Sequence, residues 1–277
     1  MKTWAVTLDL LREARSRKWF LFLGGAITLG LLVLGLSLKL EVVDGALAAS
    51  RFFGKSLDNP MMSADVALGA VFSVASQFIF YGGMLFGIFS CSDFAPKLLS
   101  PGRIEHLLAL PVRRWELLAG TFLGVLILAL AGAAYGSVGL TLIFGVKAGV
   151  WTVRPLLSAM LAVVGFIPVY AMMLTAAVFA RSAALSSGVG GVVFALGVVT
   201  SYRDTLLPMF SPGLGRFSFN ALTVLMPRLA RLAELSSQLA GAKPVSATVA
   251  LSLIGGCLAF GAGALMVGIW RFEERDF

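Results

Sequence analysis

Hydrophobic and polar positions alternate along this chain in long blocks. Six windows hold no Asp, Glu, Lys or Arg: Trp19–Leu38, Val66–Ser92, Leu117–Val146, Pro155–Ala180, Ser182–Tyr202 and Pro244–Trp270. Each reaches or exceeds the ~20 apolar residues that cross a bilayer as a helix. The pattern predicts an all-α integral membrane fold, a single transmembrane domain with six transmembrane helices. Between the fourth and fifth windows stands only Arg181, so those two helices are expected to form a tight hairpin.

Residues 1–18 read differently. Trp4, Leu8 and Leu11 share one helical face, with Lys2, Asp9, Arg12 and Glu13 around the rest, and a basic cluster of Arg15, Arg17 and Lys18 ends the segment. That is the signature of an N-terminal interfacial amphipathic helix lying along the membrane surface. A secretory leader with Ala46-Leu47-Ala48 as its cleavage site is the competing pattern. Trp19–Leu38 is too long for the apolar core of such a leader, and Lys39, Glu41 and Asp44 intervene, so an uncleaved first span is expected.

A second polar interruption in the first half is residues 93–116. Pro96 and the Ser100-Pro101-Gly102 turn break the incoming helix. Arg103 to Leu110 then reads as a short helix with Ile104, Leu107 and Leu108 at i, i+3 and i+4 on one apolar face. Pro111 stops it, because a residue before proline is pushed out of the α region. Arg113-Arg114-Trp115 restarts a helix that enters the third window. The outer segments differ from this. Residues 39–65 are mixed and expected to be loop. Residues 203–243 open with Pro208, Pro212 and Gly213 and become amphipathic: Leu222, Met226, Leu229, Ala233 and Leu239 face one way, Arg228, Arg231, Glu234 and Gln238 the other. Helices there are expected at the outer surface, dipping into the bundle or lidding it.

Composition narrows the class. Hydrophobic residues make up 58% and charged ones 13%, against roughly 25% charged in soluble domains. Mean hydropathy is +0.93. The net charge of +8 elsewhere suggests nucleic acid, but here the basic residues flank apolar runs and are assigned to membrane lipid and to orientation. With the N-terminus inside, twelve of the 22 basic residues fall in short cytoplasmic segments and ten on the longer outer ones. The density near helix ends places both termini in the cytoplasm. Cys91 and Cys257 lie far apart at or within apolar runs, which supports neither a disulfide framework nor a metal site.

Recognisable chemistry is sparse. His106 is the only histidine, and no G-x-x-x-x-G-K-[ST] occurs, so the chain is not expected to bind ATP or act as an enzyme. Ser186, Ser187 and the Gly188-Val-Gly-Gly191 run read as helix-packing positions. None of the six windows carries an ionisable residue of the kind that ion-coupled carriers place at membrane depth, so any transport is expected to be driven from outside the membrane.

The order of features resembles the membrane subunit of ABC transporters of the type-2 exporter superfamily, and within it the subgroup of multi-copper-enzyme maturation permeases. The matching positions are Asp93, Gly102, Ile104-Glu105, Leu107-Leu108, Pro111-Val112, Arg113-Arg114, Glu116-Leu117-Leu118 and Gly120, together with the tail Arg271-Phe-Glu-Glu-Arg-Asp-Phe277. Many members of that family have an acidic-Gly pair where this chain has Pro101-Gly102. The resemblance covers the whole chain in layout, but specific residues only around Ser92–Gly124 and the tail.

It implies a prokaryotic inner-membrane permease that binds no cofactor itself. A separate ATP-binding cassette ATPase would hold ATP and Mg, and a second permease copy or a paralogue would complete a dimer. An outer partner is also expected, nucleic acid is not, and export follows from the family. The ATPase-coupling residues would be Arg103, Ile104, Glu105, His106, Leu107, Leu108, Arg113 and Arg114. Arg113 and Arg114 serve equally as anchors to lipid phosphate, and Ile104, Leu107 and Leu108 also suit packing on the N-terminal helix. The alternative reading is an ATPase-independent membrane-embedded enzyme or assembly factor.

Overall fold

A computed structural model describes residues 2–43, 46–52, 55–57, 62–100, 102, 104, 112–209 and 213–274. Its long helices follow the apolar windows. They are α2 (Lys18–Ser37), α3 (Ala64–Cys91), α5 (Arg114–Ala148), α6 (Arg154–Ala180), α7 (Ala183–Val199) and α11 (Ala247–Glu273), with α1 (Lys2–Ser16) before them and the short α4 (Phe94–Leu98) after α3. Among the described residues, five stretches are long and apolar enough to cross a membrane. The pair α1 and α2, bent by 66°, makes up to six. The chain is thus predominantly helical and compatible with a multi-pass membrane protein.

One expectation fails between α2 and α3. Residues anticipated as loop form four short strands, β1 (Leu38–Val43), β2 (Ala46–Phe52), β3 (Lys55–Leu57) and β4 (Met62–Ser63). β2 pairs antiparallel with the other three. The alternation of Leu38, Lys39, Leu40, Glu41 and Val42 is the period-two pattern of a strand, and it was hidden beside a much longer apolar run.

The bundle is organised around α6, the most buried span, while α11 is the least buried. Apolar side chains gain little by leaving lipid for a neighbouring helix, so close approach at small residues does the packing. A Cβ on Gly165 would fall 2.7 Å from Met84 Cε and 2.9 Å from Phe80 of α3, and one on Gly261 of α11 would fall 2.6 Å from Ile167 of α6. Of the glycines expected to pack on α7, only Gly190 does so, against Met173 of α6; Gly188 and Gly191 face open space. Ser186 Oγ donates to the Met173 carbonyl at 2.9 Å, the packing role expected of it. The tight hairpin is also present. Arg181 adopts the left-handed conformation (φ 50°) that ends α6, and Ser182 caps α7.

The segment after α7 continues as a 3-10 turn (Thr200–Tyr202), α8 (Arg203–Leu206) and a second 3-10 turn (Leu207–Met209). Then come α9 (Leu214–Leu225) and α10 (Leu229–Ala240). α10 takes the dipping alternative and is wedged among α3, α6 and α7. Its buried face is Leu229, Ala230, Leu232, Ala233, Leu235, Ser236 and Ala240. Leu232 reaches Gly165, close to the midpoint of α6. Three buried hydroxyls pin the wedge: Ser236 lies 2.8 Å from both Ser76 of α3 and Ser158 of α6, which also bond each other. At its end, Gly241 abuts Ser73 Oγ and the Gly69 carbonyl, where a Cβ would stand 2.2 and 3.1 Å from them. Gly241→Val should therefore force α10 outward at a cost of about 1–3 kcal/mol. It should lower the melting temperature of the detergent-solubilised protein, whereas Gly255→Val, which meets nothing within 4 Å, should leave it unchanged.

Candidate functional site

The resemblance centres on the polar segment that leaves α3, and its two flanks are well defined. α3 stops at Cys91, and the chain turns into α4 with Asp93 at the N-cap. Pro96 falls in the first turn of α4, where a missing N–H costs nothing, so the break comes before it. Phe94, Ala95, Leu98 and Leu99 are buried. After the turn, Gly102 has φ +81°, a region open to glycine, and Ile104 N donates to the Ser100 carbonyl at 3.1 Å.

An ionic network joins this turn to the N-terminal helix. Arg17 bonds Asp93, lies 2.5 Å from Glu13 Oε1, and sets its guanidinium 3.9 Å from the ring centre of Phe94; Lys97 Nζ reaches the other Asp93 oxygen at 2.6 Å. Burial alone would raise the Asp93 carboxyl, but the hydrogen bonds from Lys97 and Arg17 outweigh it and hold the group below its usual range. On Arg17 burial acts to lower the pKa, and the bonds to Glu13 and Asp93 override it and raise it.

α1 is further fixed along its other side to the first turns of α5. Thr7 Oγ1 donates to the Gly120 carbonyl at 3.0 Å, and Val6 and Leu10 press on Gly120 and Gly124. The face of α1 that packs inward is thus Thr7, Leu10 and Ala14, while Trp4 and Leu8 look outward.

The second flank is α5. Arg113 is its exposed N-cap residue, and its backbone N–H is taken by Glu116 Oε2 at 2.8 Å. Arg114, expected to dock on a partner or on lipid, turns inward. Its guanidinium donates to the Glu273 carbonyl at 3.0 Å and the Phe272 carbonyl at 3.5 Å, at the end of α11. A helix C-terminus has unpaired carbonyls and the negative end of the dipole, which suit a cation there. The start of α5, the N-terminal helix and the last turn of α11 therefore meet at one end of the bundle.

Of the eight expected coupling residues, Arg103, Glu105, His106, Leu107 and Leu108 lie outside the described residues, as does the expected Arg103–Leu110 helix. Ile104 is 2% exposed and belongs to a cluster with Leu99, Leu117, Leu118, Leu174 and Phe272, with Val6 of α1 packed against it, an arrangement that fits the packing alternative given for it. The physical reason is that the Gly102 turn folds the chain back toward α4. Only Arg113 of the described members is exposed.

Two features escaped the sequence reading. The Arg17–Asp93 pair joins residues 76 apart, and each looked like a local charge. The other is that α10 dips as far as the middle of α6. Arg231, Glu234 and Gln238 were seen to share a face, but that face is carried alongside the spans. There Arg231 binds Glu234 at 3.2 Å and approaches Asp204 at 3.9 Å, and Gln238 donates to Glu234 at 3.3 Å. The windows are charge-free, yet the bundle's side is not. The signal available was the i, i+3, i+7 spacing between Pro227 and Gly241.

These features are compatible with a multi-pass helical membrane protein in which the described flanks of the segment between α4 and α5 are each tied to another helix, at the end of the bundle where its terminal helices meet. Compared with known proteins, the chain matches no family model and no curated protein.

Replacing Arg17 by Asp should release α1, seen as faster tryptic cleavage at Arg12 and Arg15. The swap Arg17→Asp/Asp93→Arg should restore much of the protection. Because the Asp93 carboxyl is more acidic when folded, its contribution is full above the ordinary value of ~3.9 and lost only as pH falls through the lower folded value. Protection of α1 should therefore not vary between about pH 5 and 8.

Proposed function

We propose that this chain is the permease subunit of an ATP-driven ABC transporter of the type-2 exporter kind, in the inner membrane of a prokaryote. In this reading the end of the bundle holding both terminal helices faces the cytoplasm, in line with its density of basic residues. A separate ATP-binding cassette subunit, which would hold ATP and Mg, seats beneath the loop between α4 and α5. A second permease copy or a paralogue completes the transporter.

The observation that carries this reading is the mounting of the loop. One side is tied to α1 through Arg17 and Asp93, the other to α11 through Arg114, and Ile104 is held in the bundle. A segment anchored this way cannot be displaced without displacing the helices it is tied to. ATP-driven closure of two ATPase subunits would push on Arg103, Glu105, His106, Leu107, Leu108 and Arg113. The force would pass into α5 and α6, whose close glycine contacts favour discrete packings over continuous deformation. The chain itself contributes position and stiffness, and the bond-breaking chemistry belongs to its partner.

Solubilised gently from its native membrane, the full chain should bring down a stoichiometric ATP-hydrolysing subunit, and scrambling residues 103–110 should lose it. A pure, folded, ATPase-free protein would overturn the proposal. The double change Glu105→Ala/Arg113→Ala should leave insertion intact while ATP hydrolysis by the complex no longer depends on the permease. Unchanged coupling would remove those residues from the contact.

A further inference from the structure

On the face between α2 and α3 the bundle is open. The two helices diverge over α5 and α6 and leave an apolar groove of about 560 Å³, walled by Phe20, Ile27 and Leu34 of α2 and by Phe78, Ile79 and Phe86 of α3. It extends along α2 from Phe20 to Leu34, roughly 21 Å at 1.5 Å per residue, which is longer than half of a ~30 Å hydrocarbon layer. Side-chain placement keeps it open. A Cβ added at Gly30, Gly82, Gly83 or Gly132, all lining it, would meet nothing within 4 Å. These four glycines differ from Gly165 or Gly261, where a neighbouring helix fills the space.

An apolar cleft of this length in a bilayer does not stay empty, because its walls would forfeit their dispersion contacts. Its polar end indicates the occupant. Lys18 starts α2 two residues before Phe20, and Lys18, Arg15 and Arg12 are all exposed. Arg17 and Lys97 stand beside them, opposed by Glu13 and Asp93. The mouth at the end of the bundle where the terminal helices meet is thus net positive and lies where the apolar run of α2 begins.

We infer that this groove is a binding site for one anionic phospholipid of that leaflet, with its phosphate at Lys18 and Arg15 and an acyl chain laid between α2 and α3. The apolar length suits a chain drawn from one leaflet and continuing past the membrane midplane. The basic mouth selects negative over zwitterionic headgroups, by about five-fold for each basic residue engaged. The site stands apart from the ATPase reading and holds or falls without it.

The test uses the full chain in phosphatidylcholine vesicles carrying a trace of phosphatidylglycerol, or of phosphatidylcholine, with a photoreactive diazirine midway along one acyl chain. Cross-linked residues are mapped by mass spectrometry. Label is expected to concentrate on groove residues such as Ile27 and Ile79, several-fold more from phosphatidylglycerol than from phosphatidylcholine. Gly83→Leu, which has room for its side chain, should abolish the groove label while leaving that on the exposed Leu251 and Leu258 of α11. Should that variant misfold, Gly132→Leu blocks the same groove from α5. Arg15→Gln/Lys18→Gln should make the two lipids equivalent. Even labelling of all lipid-facing surfaces, indifferent to Gly83→Leu, would overturn the inference. So would a groove shielded from both lipids in which Phe78→Cys forms a disulfide between two copies.

Discussion

Everything in this bundle depends on how apolar helices hold together when lipid is as apolar as they are. With little hydrophobic gain from association, the spans are joined where a missing side chain lets two backbones approach and where a hydroxyl finds a partner on the next helix. Gly165 and Gly190 bring α3 and α7 onto α6, Gly261 and Gly268 bring α11, and Gly120 and Gly124 seat α1 on α5. Hydroxyl contacts add direction: Thr175 Oγ1 donates to Ala264 O at 2.7 Å across α6 and α11, and the Ser76, Ser158 and Ser236 triad fixes α10. Such contacts are short-ranged and geometry-dependent, which gives the bundle a small number of distinct packings.

The same rule separates the two ends of the molecule. At the end where the terminal helices converge, charges are added to glycines as joining elements. Arg17, Glu13, Asp93 and Lys97 make a network there, and Arg114 closes the unpaired end of α11. Half-buried ion pairs of this kind contribute modestly to stability, because desolvation offsets much of their attraction. Their geometry makes them better at specifying which helix end sits against which. The α4 side is held to α1 by these ion pairs, and the start of α5 is held to α11 by Arg114 on its terminal carbonyls. At the opposite end the wedge α10 carries charges into the side of the bundle, where Arg231, Glu234 and Asp204 satisfy one another.

The groove between α2 and α3 is the complement of this packing. Where glycines meet a neighbour they close the bundle, and where Gly30, Gly82, Gly83 and Gly132 meet none they leave a channel for an apolar chain. One residue type thus serves opposite ends, decided by what stands across from it.

By itself the sequence determined the class. Twenty or more apolar residues in a row favour a helix long enough to cross a bilayer, so the windows located the long helices to within a few residues. Proline and glycine punctuation located the turn at Gly102, and the lone Arg181 between two apolar windows located the hairpin there. The turn that begins the loop after α3 was readable too, since Gly102 takes a conformation that other residues resist. Only the tertiary structure decided which charges are neighbours and how deep an amphipathic helix sits. Arg17 and Asp93 are 76 residues apart, Arg114 spends itself on the end of α11, and Ile104 turns inward. α10 enters the bundle where Ser236 finds Ser76 and Ser158. Periodicity reports which residues share a face, and it carries no information about what that face will meet; that depends on contacts between segments far apart in the chain.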